Sequence, residues 1–122
     1  MTTENTLELV RAYYDSWQGG SERFDEAWLR KVLHPSVVFE SPMGRKDKIE
    51  DLLTGVARFN QTMNSRRLLQ LFAVGNEAAA IYDCELAPPI NHLRCAEFFR
   101  VEGAQITAIR LVFDATPYRA KP

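Results

Sequence analysis

Residues 91–103 read NHLRCAEFFRVEG. Every second residue from Leu93 (Leu93, Cys95, Glu97, Phe99, Val101) forms one set, and His92, Arg94, Ala96, Phe98, Arg100 and Glu102 form the other. In a β-strand the two sets point to opposite faces. One face is then apolar except for a single carboxylate at its centre, and the other is mixed. An apolar face must be covered by another layer, which the rest of the chain has to supply.

Three more segments carry strand character: RRLLQLFAV (66–74), EAAAIYDCEL (77–86) and QITAIRLVFD (105–114). Gly75-Asn76, Pro88-Pro89 and Gly103 punctuate them as turns. Upstream the period changes. In NTLELVRAYYDSWQGG (5–20), Leu7, Val10, Tyr14 and Trp17 follow the spacing of a buried helical stripe. Asn5 and Glu8 can form a capping box, and Gly19-Gly20 ends the helix. A shorter helix is predicted over Asp25–Leu33, with Trp28, Leu29 and Val32 apolar, and His34-Pro35 forces the chain out of it. SVVFESP (36–42) reads as a short strand stopped by Pro42. A third helix carries Ile49, Leu52, Leu53, Val56 and Phe59, with Asp47 and Glu50 as a second possible capping box. Helices first and consecutive strands afterwards give an α+β domain with a largely antiparallel sheet, one unit over residues 1–122.

The helices cover one face of that sheet. The other carries Ile81, Ala96 and Phe98 between Asp83, Arg94 and Arg100. Such a half-apolar face points to a partner, most simply a second copy of the chain. Fifteen basic against 16 acidic residues give a formal charge of −1, with no basic stripe, so nucleic acid is not an expected partner. No apolar run nears the roughly 20 residues of a membrane helix, and the acidic, polar MTTENTLELV does not read as a signal peptide. Two cysteines in such a chain are expected as reduced thiols in a cytoplasm. They cannot complete a four-ligand zinc site with two distant histidines. No phosphate-cradling loop, nucleotide fingerprint or metal-ligand cluster is present, so no cofactor is expected.

This layout resembles the nuclear transport factor 2-like superfamily, which includes ketosteroid isomerases and SnoaL-like polyketide cyclases. The resemblance runs over about residues 5–118, through AYYDSWQGG, LHPSVVFESPMG, GNEAAAIYDCEL and AEFFRVEGAQITAIRLVF. It implies a curved sheet wrapped around three N-terminal helices, enclosing a cone-shaped, mostly apolar pocket for a small apolar molecule. Matched to the isomerases, Tyr13 takes the place of a helix tyrosine that donates to the substrate oxygen. Glu97 takes the place of a strand acid kept protonated so that it also donates. The isomerase base is an Asp before a proline, and here that place holds Ser41, a poor base without a helper. The implied chemistry is cofactor-free isomerisation or cyclisation of a small carbonyl compound. The alternative is a non-catalytic binding or interaction module of the same fold.

Residue by residue, a carboxyl in an apolar wall is disfavoured as the anion, so Glu97 is expected to titrate high. It is either a pocket acid or half of a structural pair with a buried Arg or Tyr. Tyr13 is either a donor or helix packing. Tyr82 is a competing partner, because symmetric pairing about Pro88-Pro89 places it near Glu97 and places Cys84 near Cys95. Those two cysteines are a reduced core pair or, less simply, a cross-strand disulfide. Ser41 is a polar contact or a cap of the turn at Pro42. His34 and His92 read as surface residues, and Arg110 as an outer-face or interface residue. Asp114 is a minor catalytic candidate; by alternation Leu111 and Phe113 face the helices and Asp114 faces out or caps the tail. Trp17, Phe39, Met43, Phe59, Met63, Phe72, Cys84, Cys95 and Phe99, with Tyr82, are candidate lining, or simply core.

Overall fold

The alternation of residues 91–103 becomes strand β5 (His92–Glu102), whose apolar set is at most 5% exposed, Glu97 included. The computed structural model of the chain describes residues 2–19 and 24–119. The remaining described elements are α1 (Thr3–Asp15), α2 (Glu26–Val32), β1 (Leu33–Ser41), β2 (Gly44–Lys46), α3 (Ile49–Thr62), β3 (Met63–Val74), β4 (Glu77–Leu86), β6 (Gln105–Val112) and a short α4 (Thr116–Arg119). The sheet runs β2-β1-β6-β5-β4-β3, antiparallel except where β1 lies parallel to β6. It is curved and unclosed, with the helices on its concave side. The α+β reading of the sequence is borne out, with the three-residue β2 as an unforeseen edge strand.

Helix starts are set by local side chains, and two differ from the sequence reading. Thr2 caps α1, accepting from the Asn5 N–H at 3.1 Å, so the Asn5–Glu8 box is not formed. Asp25 caps α2, accepting from the Trp28 N–H at 3.0 Å. No side chain caps α3. Glu50 is turned away from the expected box into a two-pronged pair with Arg30 of α2, at 2.8 and 2.9 Å. Helix α1 ends at Asp15; Gly20, half of the expected stop, lies outside the described residues.

Helix α1 packs against β3 and β4 and beside α2. Its adjacent Tyr13 and Tyr14 are both at most 3% exposed. Neighbours about 100° apart can both be buried only where a helix is enclosed on more than one side. Arg66 of β3 locks the end of this helix: its guanidinium donates to the Tyr14 carbonyl at 2.7 Å and to that of Trp17. It also stacks 4.9 Å from the Tyr14 ring centre and 4.4 Å from that of Trp17. Carbonyls at a helix C-terminus lack intrahelical partners and carry the negative end of the dipole, so a half-buried cation is well placed there.

Strand β3 contains the irregularity that most alters the sequence reading. Its register with β4 slips between Leu68 and Gln70, leaving Leu69 as an extra residue. A bulge of this kind bends the strand and exchanges its faces beyond the insertion. Arg66 and Leu68 therefore face the helices, whereas Gln70, Phe72 and Val74 face out. Phe72 was expected among the lining residues and is instead 64% exposed on the convex face.

The β4–β5 hairpin also departs from expectation. The loop closes with the Leu86 N–H donating to the Asn91 carbonyl at 2.7 Å. Tyr82 then pairs with Cys95, Cys84 with Leu93 and Ala80 with Glu97. The expected register was two residues off, which preserves the face. Tyr82 is thus a diagonal neighbour of Glu97, and Cys84 of Cys95. Both cysteines are buried and free.

Candidate active site

Between α1, α3 and the concave side of the sheet lies a cavity of about 550 Å³, a size typical of small-molecule sites. Its wall is mostly apolar, with Trp17 from α1, Phe59 from α3 and Phe39 from β1 among its lining residues. Glu97 belongs to that wall by the alternation of β5, and it is the only carboxylate among the described lining residues. Helix α1 meets this strand with two consecutive tyrosines that take different positions. Tyr14 lies outside the lining and donates its hydroxyl to Glu97 Oε1 at 2.7 Å. Tyr13 lines the cavity, and its hydroxyl makes no hydrogen bond within the described residues. Tyr82 lines it too, with its hydroxyl near the Glu97 carboxylate.

Burial raises Glu97 from 4.5 to about 7, against opposing effects. The hydrogen bond from Tyr14, the nearby Tyr82 hydroxyl and the field of Arg66 all favour the anion but do not outweigh desolvation. The high titration expected from the sequence is therefore present, with desolvation as its first cause. Burial, then the nearby Glu97 charge, push Tyr13, Tyr14 and Tyr82 up, so all three stay neutral donors at physiological pH. Burial lowers Arg66, though tyrosines around it partly compensate. The result is a carboxyl titrating near neutrality between neutral hydroxyls, an arrangement able to accept or give a proton.

The other candidates separate clearly. Ser41 lines the cavity, but its Oγ accepts from the Met43 N–H at 3.1 Å, so it also caps the turn after Pro42. Met43 and Cys95 reach the lining along with Trp17, Phe39, Phe59 and Tyr82. Met63, Cys84 and Phe99 do not; they are buried in the core. Asp114 lies outside the cavity and accepts from the Thr116 N–H at 3.0 Å, starting α4, while Leu111 and Phe113 face inward as the alternation predicts. His34 accepts from the Ser36 N–H at 2.9 Å, and His92 meets Glu85 at 3.1 Å on the exposed side. Among the described residues no three His, Cys, Asp or Glu side chains cluster as a metal site requires, and no helix is long and apolar enough to cross a membrane.

Sequence reasoning missed Tyr14 as the partner of Glu97, and it missed Lys46 and Arg58, two cations in the lining. Tyr14 was already in the predicted stripe of α1, which marked it as inward-facing. Lys46 sits on the three-residue β2, which gave no periodic signal.

Known structures share this architecture. A protein from Cytophaga hutchinsonii described as NTF2-like and of unknown function superposes with a TM-score of 0.78 at 21% identity, over 98% of this chain and 97% of its own. The chain has the nuclear transport factor 2-like fold. A candidate ketosteroid isomerase from Kribbella flavida matches at TM-score 0.76 and 22% identity, over 91% of this chain and 78% of that one. A candidate SnoaL-like polyketide cyclase from Jannaschia matches at 0.80 and 12%, over 98% and 95%. No protein-family model and no curated protein sequence matches the chain. The resemblance read from the sequence thus holds at the level of the fold, which hosts unrelated activities and does not by itself assign one.

Proposed function

We propose that this chain binds a small apolar carbonyl compound in the cavity and catalyses proton transfer next to the carbonyl without a cofactor. The observation that carries this reading is the buried Glu97 carboxyl, raised to about 7 at the wall of an apolar cavity and held by the Tyr14 hydroxyl at 2.7 Å. In its ionised form Glu97 takes a proton from the carbon beside the carbonyl. The C–H electron pair becomes the enolate double bond, and negative charge moves to the oxygen, where Tyr13 donates its unengaged hydroxyl. Protonated Glu97 then returns the proton to the same or a conjugated carbon. Tyr14 and Tyr82 position the carboxyl from the protein side. One group serving as both acceptor and donor removes the need for a base at residue 41.

The test is deuterium incorporation into 2-tetralone in heavy water, followed by proton magnetic resonance. Exchange above buffer is expected from the wild-type chain and its loss from Glu97→Gln, with a smaller loss from Tyr13→Phe. Wild-type exchange no faster than buffer sinks the catalytic reading. The second reading, a binding module, is favoured by one specific observation: among the described lining residues Glu97 has no second carboxylate beside it, and Ser41 is engaged in its turn.

The convex sheet face enters the proposal as a dimer surface. Phe72, Val74 and Val112 are 64 to 77% exposed there. The Arg94–Asp83 and Arg100–Glu77 pairs lie on the same face. An apolar patch flanked by internally paired charges can meet its own copy without burying an unpaired one.

A further inference from the structure

Lys46 and Arg58 are the two features of the cavity that an apolar neutral ligand does not use. Lys46 comes from β2 and is half-buried; Arg58 comes from α3 and is exposed. Neither has an ion-pair partner among the described residues. This contrasts with their neighbours: Arg45 and Arg110 both approach Glu40, at 3.7 and 3.8 Å, and Arg30 holds Glu50 at 2.8 Å. The chain carries a net charge of −1, so an excess of cations here is local.

The backbone beneath Lys46 is also adapted to it. Gly55 sits inside α3, where glycine costs about 0.5–1 kcal/mol relative to alanine. A Cβ built there would lie 3.2 Å from Lys46 Cε and 4.0 Å from its Nζ. The absent side chain lets the lysine stem lie flat on the helix, with its ammonium held in the wall. The exposed Arg58 and Met43 mark the mouth of the cavity, and the 4% exposed Glu97 its deep end. The lining is therefore polarised, cationic outside and capable of hydrogen bonding inside.

We infer that the ligand is an amphipathic organic anion, its anionic group held by Lys46 and Arg58 at the mouth and its uncharged end at Glu97 and Tyr13. This rests on the pocket reading above and names the substrate class for it. An anion at the mouth replaces the missing protein carboxylate for both cations. Its position away from Glu97 also avoids placing two negative charges side by side when that carboxyl ionises.

Two dyes with one ring system test the inference. 1-Anilinonaphthalene-8-sulfonate carries an anionic group, and N-phenyl-1-naphthylamine does not. Both are titrated by fluorescence into the wild-type chain and the double variant Lys46→Gln/Arg58→Gln, with circular dichroism to confirm folding. The expected result is a tenfold or greater weakening of the sulfonate dye, with the neutral dye changed by less than about twofold. Added salt should weaken only the sulfonate dye, and only in the wild type. Equal effects on both dyes, or none on either, overturn the anion site and leave the pocket reading standing. Failure of both dyes to bind the wild-type chain removes the pocket reading as well.

Discussion

Replacing Glu97 with Gln should change the way stability depends on pH. The folded chain holds the Glu97 proton up to about pH 7, whereas an exposed glutamate releases it near 4.5. Between those values the native state binds more protons than the unfolded chain, so stability falls as pH rises through the interval. Below 4.5 the burial of this group carries no penalty from charge. Above about 7 the full penalty is present, and the displacement corresponds to about 3 kcal/mol. Glutamine keeps the shape and cannot ionise, so the variant lacks this slope. Its stability relative to wild type should climb by about 1.4 kcal/mol per pH unit across the interval and then level off. Urea unfolding of both chains at closely spaced pH values measures the difference, provided each transition is two-state. Two curves that stay parallel from pH 5 to about 8 would refute the argument, because Glu97 would then ionise equally in both states.

Tyr14→Phe removes a hydrogen bond that favours the anion. It should move the Glu97 midpoint further up in carboxyl-carbon magnetic resonance and lower stability above that midpoint by about 2 kcal/mol; an unmoved midpoint counts against Tyr14 as the positioning group. Arg66→Met removes the guanidinium donor from the Tyr14 and Trp17 carbonyls and should cost about 3 kcal/mol in denaturant unfolding. A loss below about 1 kcal/mol would mean water replaces the guanidinium. Phe72→Arg should convert a sedimenting dimer to monomer while leaving dye binding in the cavity intact, and a wild-type monomer at micromolar concentration rejects the dimer. The buried Cys84 thiol, raised by the neighbouring Cys95 thiol and by burial, should resist iodoacetamide in the folded chain and react on unfolding; rapid alkylation of the native state would contradict its burial.

The fold was legible because the sheet's alternation and the helical stripes are each local patterns repeated over ten or so residues. Glu97 was legible for the same reason: one polar residue in an otherwise apolar register is visible without knowing what lies opposite. Its partner was not. Tyr13 and Tyr14 are adjacent on a helix enclosed by sheet and helix together, and only the packed structure decides which one reaches β5. Phe72 was misplaced because a bulge has no signature in RRLLQLFAV. Periodicity gives the correct face up to Leu68 and the opposite one after it. Lys46 and Arg58 were passed over because an isolated charge reads as solvated until the pocket around it is known.

The bulge at Leu69 makes β3 asymmetric toward length changes. Substituting Leu69, 38% exposed, alters one side chain. Deleting it restores strict alternation and leaves Gln70–Val74 on their present faces, because Leu68 and Gln70 already pair with the consecutive residues Tyr82 and Ile81. In related chains a one-residue deletion at this point would therefore relax the bend of β3 without exchanging the concave layer and the convex face.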